Sequence, residues 1–123
     1  MWINKLELKE LNRSALYVSN RALEVALKGS YSDMQKKGKA YVVYKICSEI
    51  YNTSPLDTRK IDCYTIMKYH SLRQILSSMC NDKEKYHVSV LNDCNDSDET
   101  WVAFDKMKYI LDNFETELFE EWE

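Results

Sequence analysis

The chain has 123 residues, a net charge of −3, 45% hydrophobic and 30% charged residues. That composition predicts one globular domain over residues 1–123 and excludes a disordered chain. Only two glycines and one proline are present, which argues against glycine-rich phosphate loops and turn-dense β-sandwiches and favours helices.

Residues 4–10 alternate Leu6 and Leu8 against Lys5, Glu7 and Lys9. That period of two predicts a strand. Residues 13–28 place Ala15, Leu16, Val18, Ala22, Leu23, Val25, Ala26 and Leu27 on one side of a helical wheel, with Gly29 at the C-terminal cap. A second helix starts at the capping box Ser32-Asp33-Met34-Gln35 and buries Ala40, Val43, Tyr44, Cys47, Ile50 and Tyr51. Ser54-Pro55 opens a third, with Leu56, Cys63, Tyr64 and Met67 on one face. Beyond residue 70, Leu72, Ile75, Leu76 and Met79 point about 150° away. The chain is therefore expected to break near residues 69–71 into two helices.

Residues 85–91 alternate Tyr86, Val88 and Val90 against His87 and Ser89, which predicts a second strand. The acidic loop 92–98 follows. Asp96 and Glu99 then cap a last helix with the apolar stripe Ala103, Phe104, Met107, Ile110, Leu111, Phe114, Leu118 and Trp122. The expected fold is mostly α (α+β): about five helices with a small two-stranded antiparallel sheet.

The motifs for metal and catalysis are incomplete. An EF-hand counted from Asp93 would need Gly at position 6 and Glu at position 12, where Asp98 and Phe104 stand. Cys80, His87 and Cys94 recur every seven residues, but no close ligand pair suits structural zinc. Cys63 and His70 share a helical face about 10 Å apart, too far for a nucleophile and its base. The four cysteines, Cys47, Cys63, Cys80 and Cys94, are expected to be reduced core residues. No catalytic residue, metal or cofactor is assigned.

Charge is distributed unevenly. Residues 1–90 hold 15 Lys/Arg against 9 Asp/Glu, a net of +6; residues 91–123 hold 2 against 11, a net of −9. The last helix carries Asp105, Asp112, Glu115, Glu117 and Glu120 with Trp101, Tyr109 and Phe119 among them. Carboxylates in its last turns oppose the helix dipole at about 0.3–1 kcal/mol each. Residues that break a local rule without compensation point to a binding role, here for a basic protein. The alternative is internal docking of these acids onto the basic body.

The expected function is a non-enzymatic, protein-binding inhibitor. An immunity protein for a toxin or a phage anti-defence factor is the model case, with a nuclease or toxin as the basic partner. The candidate binding residues are Trp101, Asp105, Tyr109, Asp112, Glu115, Glu117, Phe119 and Glu120. A small nucleic-acid-associated regulator, with a basic body and acidic C-terminal helix, ranks second, and an enzyme third. No apolar run is long enough for a membrane span, and Met1–Glu10 lacks a signal-peptide core. The expected location is the cytoplasm. Oligomeric state is not encoded in any of these features.

Overall fold

The computed structural model describes residues 5–28, 34–53, 63–80 and 88–122, with no side-chain detail at 5, 63, 66 and 114–122. Four helices account for nearly all of this: α1 (Lys5–Leu27), α2 (Met34–Thr53), α3 (Cys63–Met79) and α4 (Ser97–Trp122). A short 3-10 helix, Ser89–Asp93, precedes α4. Among the described residues there is no strand, so the expected sheet is wrong. Over the described residues the architecture is almost entirely helical.

The helices form a ring. Among the described residues α1 packs on α2 and α4, and α3 packs on α2 and α4, with no contact between the diagonal pairs α1–α3 and α2–α4. Ion pairs give the directions. Glu10 meets Lys106 and Arg21 meets Asp96, so α1 and α4 run antiparallel. Arg73 of α3 meets Asp112 of α4, and Lys68 of α3 meets Glu49 of α2.

Each helix contributes one apolar stripe to the interior. In α1 it is Leu8, Leu11, Ala15, Val18, Ala22 and Val25. In α2 it is Ala40, Val43, Cys47 and Ile50, and in α4 Phe104, Met107, Ile110 and Leu111. These recur every three or four residues, as one face of a helix requires. Full burial of each large aliphatic side chain contributes about 1.5–3 kcal/mol. Tyr44 and Tyr51 are only half-buried and pack at the edge of this core.

Three expectations fail for identifiable reasons. Residues 4–10 are not a strand: Lys5 starts α1, and the apparent alternation is broken because Leu6 is 72% exposed while Leu8 is buried. Leu8 belongs with Leu11 and Ala15, three and seven residues on, outside the short alternating window. The second strand also fails where it is described. Val88, Val90 and Leu91 are all buried as the chain enters the 3-10 helix, whereas 85–87 lie outside the described residues.

The third failure is the break at 69–71. α3 runs unbroken through it, burying Tyr69, Leu72, Leu76 and Met79 as one stripe. The conflict of faces disappears because Tyr64 and Met67 are exposed, at 77% and 53%. Among its described side chains only one face of α3 is buried, so one continuous helix suffices. The capping box at 32–35 and the Ser54-Pro55 start fall wholly or partly outside the described residues.

Gly38 lies inside α2, and a Cβ there would meet nothing within 4 Å. Glycine in a helix interior costs roughly 0.8–1 kcal/mol relative to alanine. Gly38→Ala should therefore raise stability by up to about 1 kcal/mol, read as a higher urea midpoint at unchanged m-value.

Cys47, Cys80 and Cys94 are free thiols; the side chain of Cys63 lies outside the described residues. Burial pushes the Cys47 thiol from 9.0 up to about 12, with Cys80 adding to the shift. The folded state thus holds this proton after the unfolded chain has released it. Its stabilising effect is complete below about pH 9 and is lost as pH rises towards 12. Urea titrations over that window should show a fall of a few kcal/mol, shallower in Cys47→Ala.

Candidate interaction surface

The acidic half of the sequence begins at the turn into α4. Asp96 has φ of +56°, a left-handed conformation that aspartate tolerates better than most side chains. Its carbonyl oxygen accepts from the Thr100 backbone N–H at 3.0 Å and from the Thr100 hydroxyl at 3.1 Å. Thr100 is fully buried, so the second of these hydrogen bonds satisfies its hydroxyl, and the two together anchor the first turn.

Cations from the first three helices reach this region. Lys36 of α2 pairs with Asp93 at 2.7 Å. Arg21 of α1 pairs with Glu24 at 2.7 Å and approaches Asp96 at 4.0 Å. The Arg21 guanidinium also lies over the Tyr17 ring, 4.9 Å from its centroid. Its pKa is raised chiefly by hydrogen bonding to Tyr17, which outweighs desolvation, and Glu24 adds to the rise. The Cys94 thiol donates to the Arg21 carbonyl oxygen at 3.4 Å. Burial first, then Glu24, pushes that thiol up to about 11. Tyr17 donates to the Glu99 carboxylate at 3.3 Å.

Arg73 of α3 donates from Nε to Asp112 at 2.8 Å. Part of the charge asymmetry is therefore resolved inside the molecule. Asp93, Asp96 and Asp112, all in the acidic segment, face Lys36, Arg21 and Arg73 of the basic body.

The eight candidate binding residues divide into three groups. Trp101 and Asp112 are turned to internal partners. Trp101 donates from Nε1 to Asn92 at 2.8 Å and meets Phe104 edge-on, with ring centroids 5.7 Å apart. Asp105 and Tyr109 face solvent, Tyr109 at 67% exposure. Glu115, Glu117, Phe119 and Glu120 lie on α4 beyond the described side chains.

Val102 is the residue that sequence reasoning missed. It is 58% exposed. It stands three residues before Asp105 and seven before Tyr109, so the three form one outward ridge. The signal was available: Val102 sits on the wheel opposite Met107 and Leu111, among the polar positions.

Two concavities flank α4. One, of about 230 Å³, lies between α1 and α4 and is lined by Glu10, Arg13, Tyr17, Glu99, Val102 and Lys106. Two acids and two bases leave it without a dominant charge. The other, of about 450 Å³, is lined by Cys80, Val88, Asn92, Trp101, Asp105 and Lys108, among others. Residues 81–87, which join Cys80 to Val88, are outside the described set.

Among the described residues no three His, Cys, Asp or Glu side chains gather as metal ligands. None of the helices, over the described residues, is long and apolar enough to cross a membrane. Comparison with protein-family models, with curated proteins and with solved structures finds no match to this chain.

Proposed function

We propose that the protein is a non-enzymatic binding protein whose α4 ridge docks a basic protein partner. The observation that supports this reading is the exposure of Val102 and Tyr109 on either side of the exposed Asp105. Asp105 has no ion-pair partner among the described residues. The same helix continues through Glu115, Glu117, Glu120 and Glu121. Over its whole length α4 carries eight acids against Lys106 and Lys108, a net of −6.

Acids of this kind steer a cationic partner and set its orientation, while exposed apolar side chains hold it. Occluding the cationic site of a nuclease or toxin needs only such a surface. An inhibitor of that class, such as an immunity protein or an anti-defence factor acting in the cytoplasm, is the specific form we favour. The test is capture on immobilised protein from native lysate. One basic protein should be retained by the wild type at low salt and lost with Val102→Asp. Retention of the same proteins by both forms would count against the reading.

A further inference from the structure

Opposite the acidic helix stands a second charged surface. α2 and α4 occupy diagonal corners of the ring. α2 carries Lys36, Lys37, Lys39 and Lys45 against Glu49 alone, a net of +3; Lys36 turns to Asp93, whereas Lys37 and Lys45 pair with no described acid.

The orientation of α2 follows from its contacts. Glu49 pairs with Lys68, so that flank of α2 faces α3. The other flank, with Lys37, Tyr41, Tyr44 and Tyr51, lies beside α1. Glu10, Tyr17 and Arg21 turn towards α4. The opposite flank of α1, beside α2, therefore presents Lys9, Leu16 and Leu23. Among the described residues the one carboxylate near these adjoining flanks is Glu49, one turn past Lys45, and it is paired with Lys68 at 3.3 Å.

Lys37, Tyr41 and Lys45 are spaced i, i+4, i+8 along one line of α2. The two lysines are about 12 Å apart along the axis. Tyr41, between them, is 51% exposed, and its ring meets Tyr44 at 5.8 Å and 46°. Lys9, Lys37 and Lys45 have no ion-pair partner among the described residues.

We propose that this face binds single-stranded nucleic acid. Lysines neutralise phosphates in any sequence, and tyrosine rings offer stacking surfaces to any base. About 12 Å spans three to four nucleotides of a stacked strand at roughly 3.4 Å each. The two lysines thus bracket a stretch in which bases can reach Tyr41. Glu49, at the end of this line, is neutralised by Lys68, which limits the repulsion that would oppose a polyanion. This surface is separate from the α4 ridge, so one molecule can hold a strand and a basic protein on opposite sides.

The test is fluorescence anisotropy of a labelled 12-nucleotide oligothymidylate titrated with the full chain. Saturable binding is expected, weakening roughly sevenfold from 50 to 200 mM salt if two phosphates are neutralised. Lys37→Glu with Lys45→Glu should weaken binding by more than about tenfold. Tyr41→Ala should weaken it roughly 5- to 150-fold, and Tyr41→Phe should restore it, because stacking needs the ring and not the hydroxyl. Thermal melts of each variant check that these exposed substitutions leave the fold intact.

Several results would overturn the proposal. They are no binding by the wild type, binding indifferent to the lysine reversals or to Tyr41→Ala, and equal affinity for blunt duplex. A wild-type assembly that the lysine reversals convert to monomer would also overturn it, because the face would then hold the acidic helix of a second copy. Retention of the basic protein partner by the α2 variants separates this outcome from failure of the α4 reading.

Discussion

Phe104→Ala is expected to remove about 3–5 kcal/mol of folding free energy. Phe104 is 2% exposed and heads the largest fully buried side chains. It fills the interior side of α4 and receives the edge of Trp101 at 5.7 Å. Truncation forfeits the transfer energy of the ring and leaves a cavity that four packed helices cannot readily close. Domains of this size hold only about 5–15 kcal/mol in total. A fall in Tm of more than about 10 °C follows, with a matching loss in urea midpoint. Trp101→Ala removes only a half-buried neighbour and should cost less. A Phe104→Ala variant within about 1 kcal/mol of wild type would show that the interior of the bundle is not built around this ring.

Tyr109→Ala carries the second large effect, on binding and not on folding. Tyr109 is 67% exposed, so its loss leaves the core intact. A central aromatic anchor contributes about 2 kcal/mol or more at an interface, a factor of roughly 30 in Kd. Most of that change should appear as faster dissociation. Asp105→Lys, an exposed charge on the same ridge, should mainly slow association and make the response to salt shallower, because less attraction is left to screen.

Asp112 behaves differently because it is already engaged. Its 2.8 Å bond to Arg73 joins α3 to α4, with the two side chains 45% and 29% exposed. A partly exposed pair of this kind contributes up to about 1 kcal/mol. Asp112→Lys replaces attraction by repulsion and should lower Tm, and Arg73→Glu in the same chain should restore much of the loss.

The helical stripes of α2 and α4 were legible in the sequence because their apolar positions recur over about three turns or more. Ala40, Val43, Cys47 and Ile50 are buried as the wheel predicts, as are Phe104, Met107, Ile110 and Leu111. Short windows misled. Leu6 and Leu8 suggest alternation over seven residues, but Leu8 is one end of a stripe running to Val25. Tyr64 and Met67 suggested a second buried face on α3, yet both are exposed. Hydrophobicity alone does not separate a core residue from a surface one when neighbours on the other helices decide.

The candidate surface was legible as a charge imbalance, not as a set of partners. Sequence shows that eleven acids follow residue 90. It does not show that Asp112 would find Arg73, or that Lys36 would find Asp93, because those pairs depend on how the helices close into a ring. The same closure places the lysines of α2 diagonally opposite α4.

On the proposed reading, α4 holds Asp112 docked internally on Arg73 and, apart from it, an open ridge at Asp105 and Tyr109 that meets the partner. Tyr109→Ala and Asp112→Lys, compared side by side for Tm and for capture of the basic protein, test it most directly. Tyr109→Ala is expected to keep its Tm and lose the partner, while Asp112→Lys is expected to lose Tm and keep the partner when folded. The opposite pattern, with Asp112→Lys abolishing capture at unchanged Tm and Tyr109→Ala binding as wild type, would contradict it.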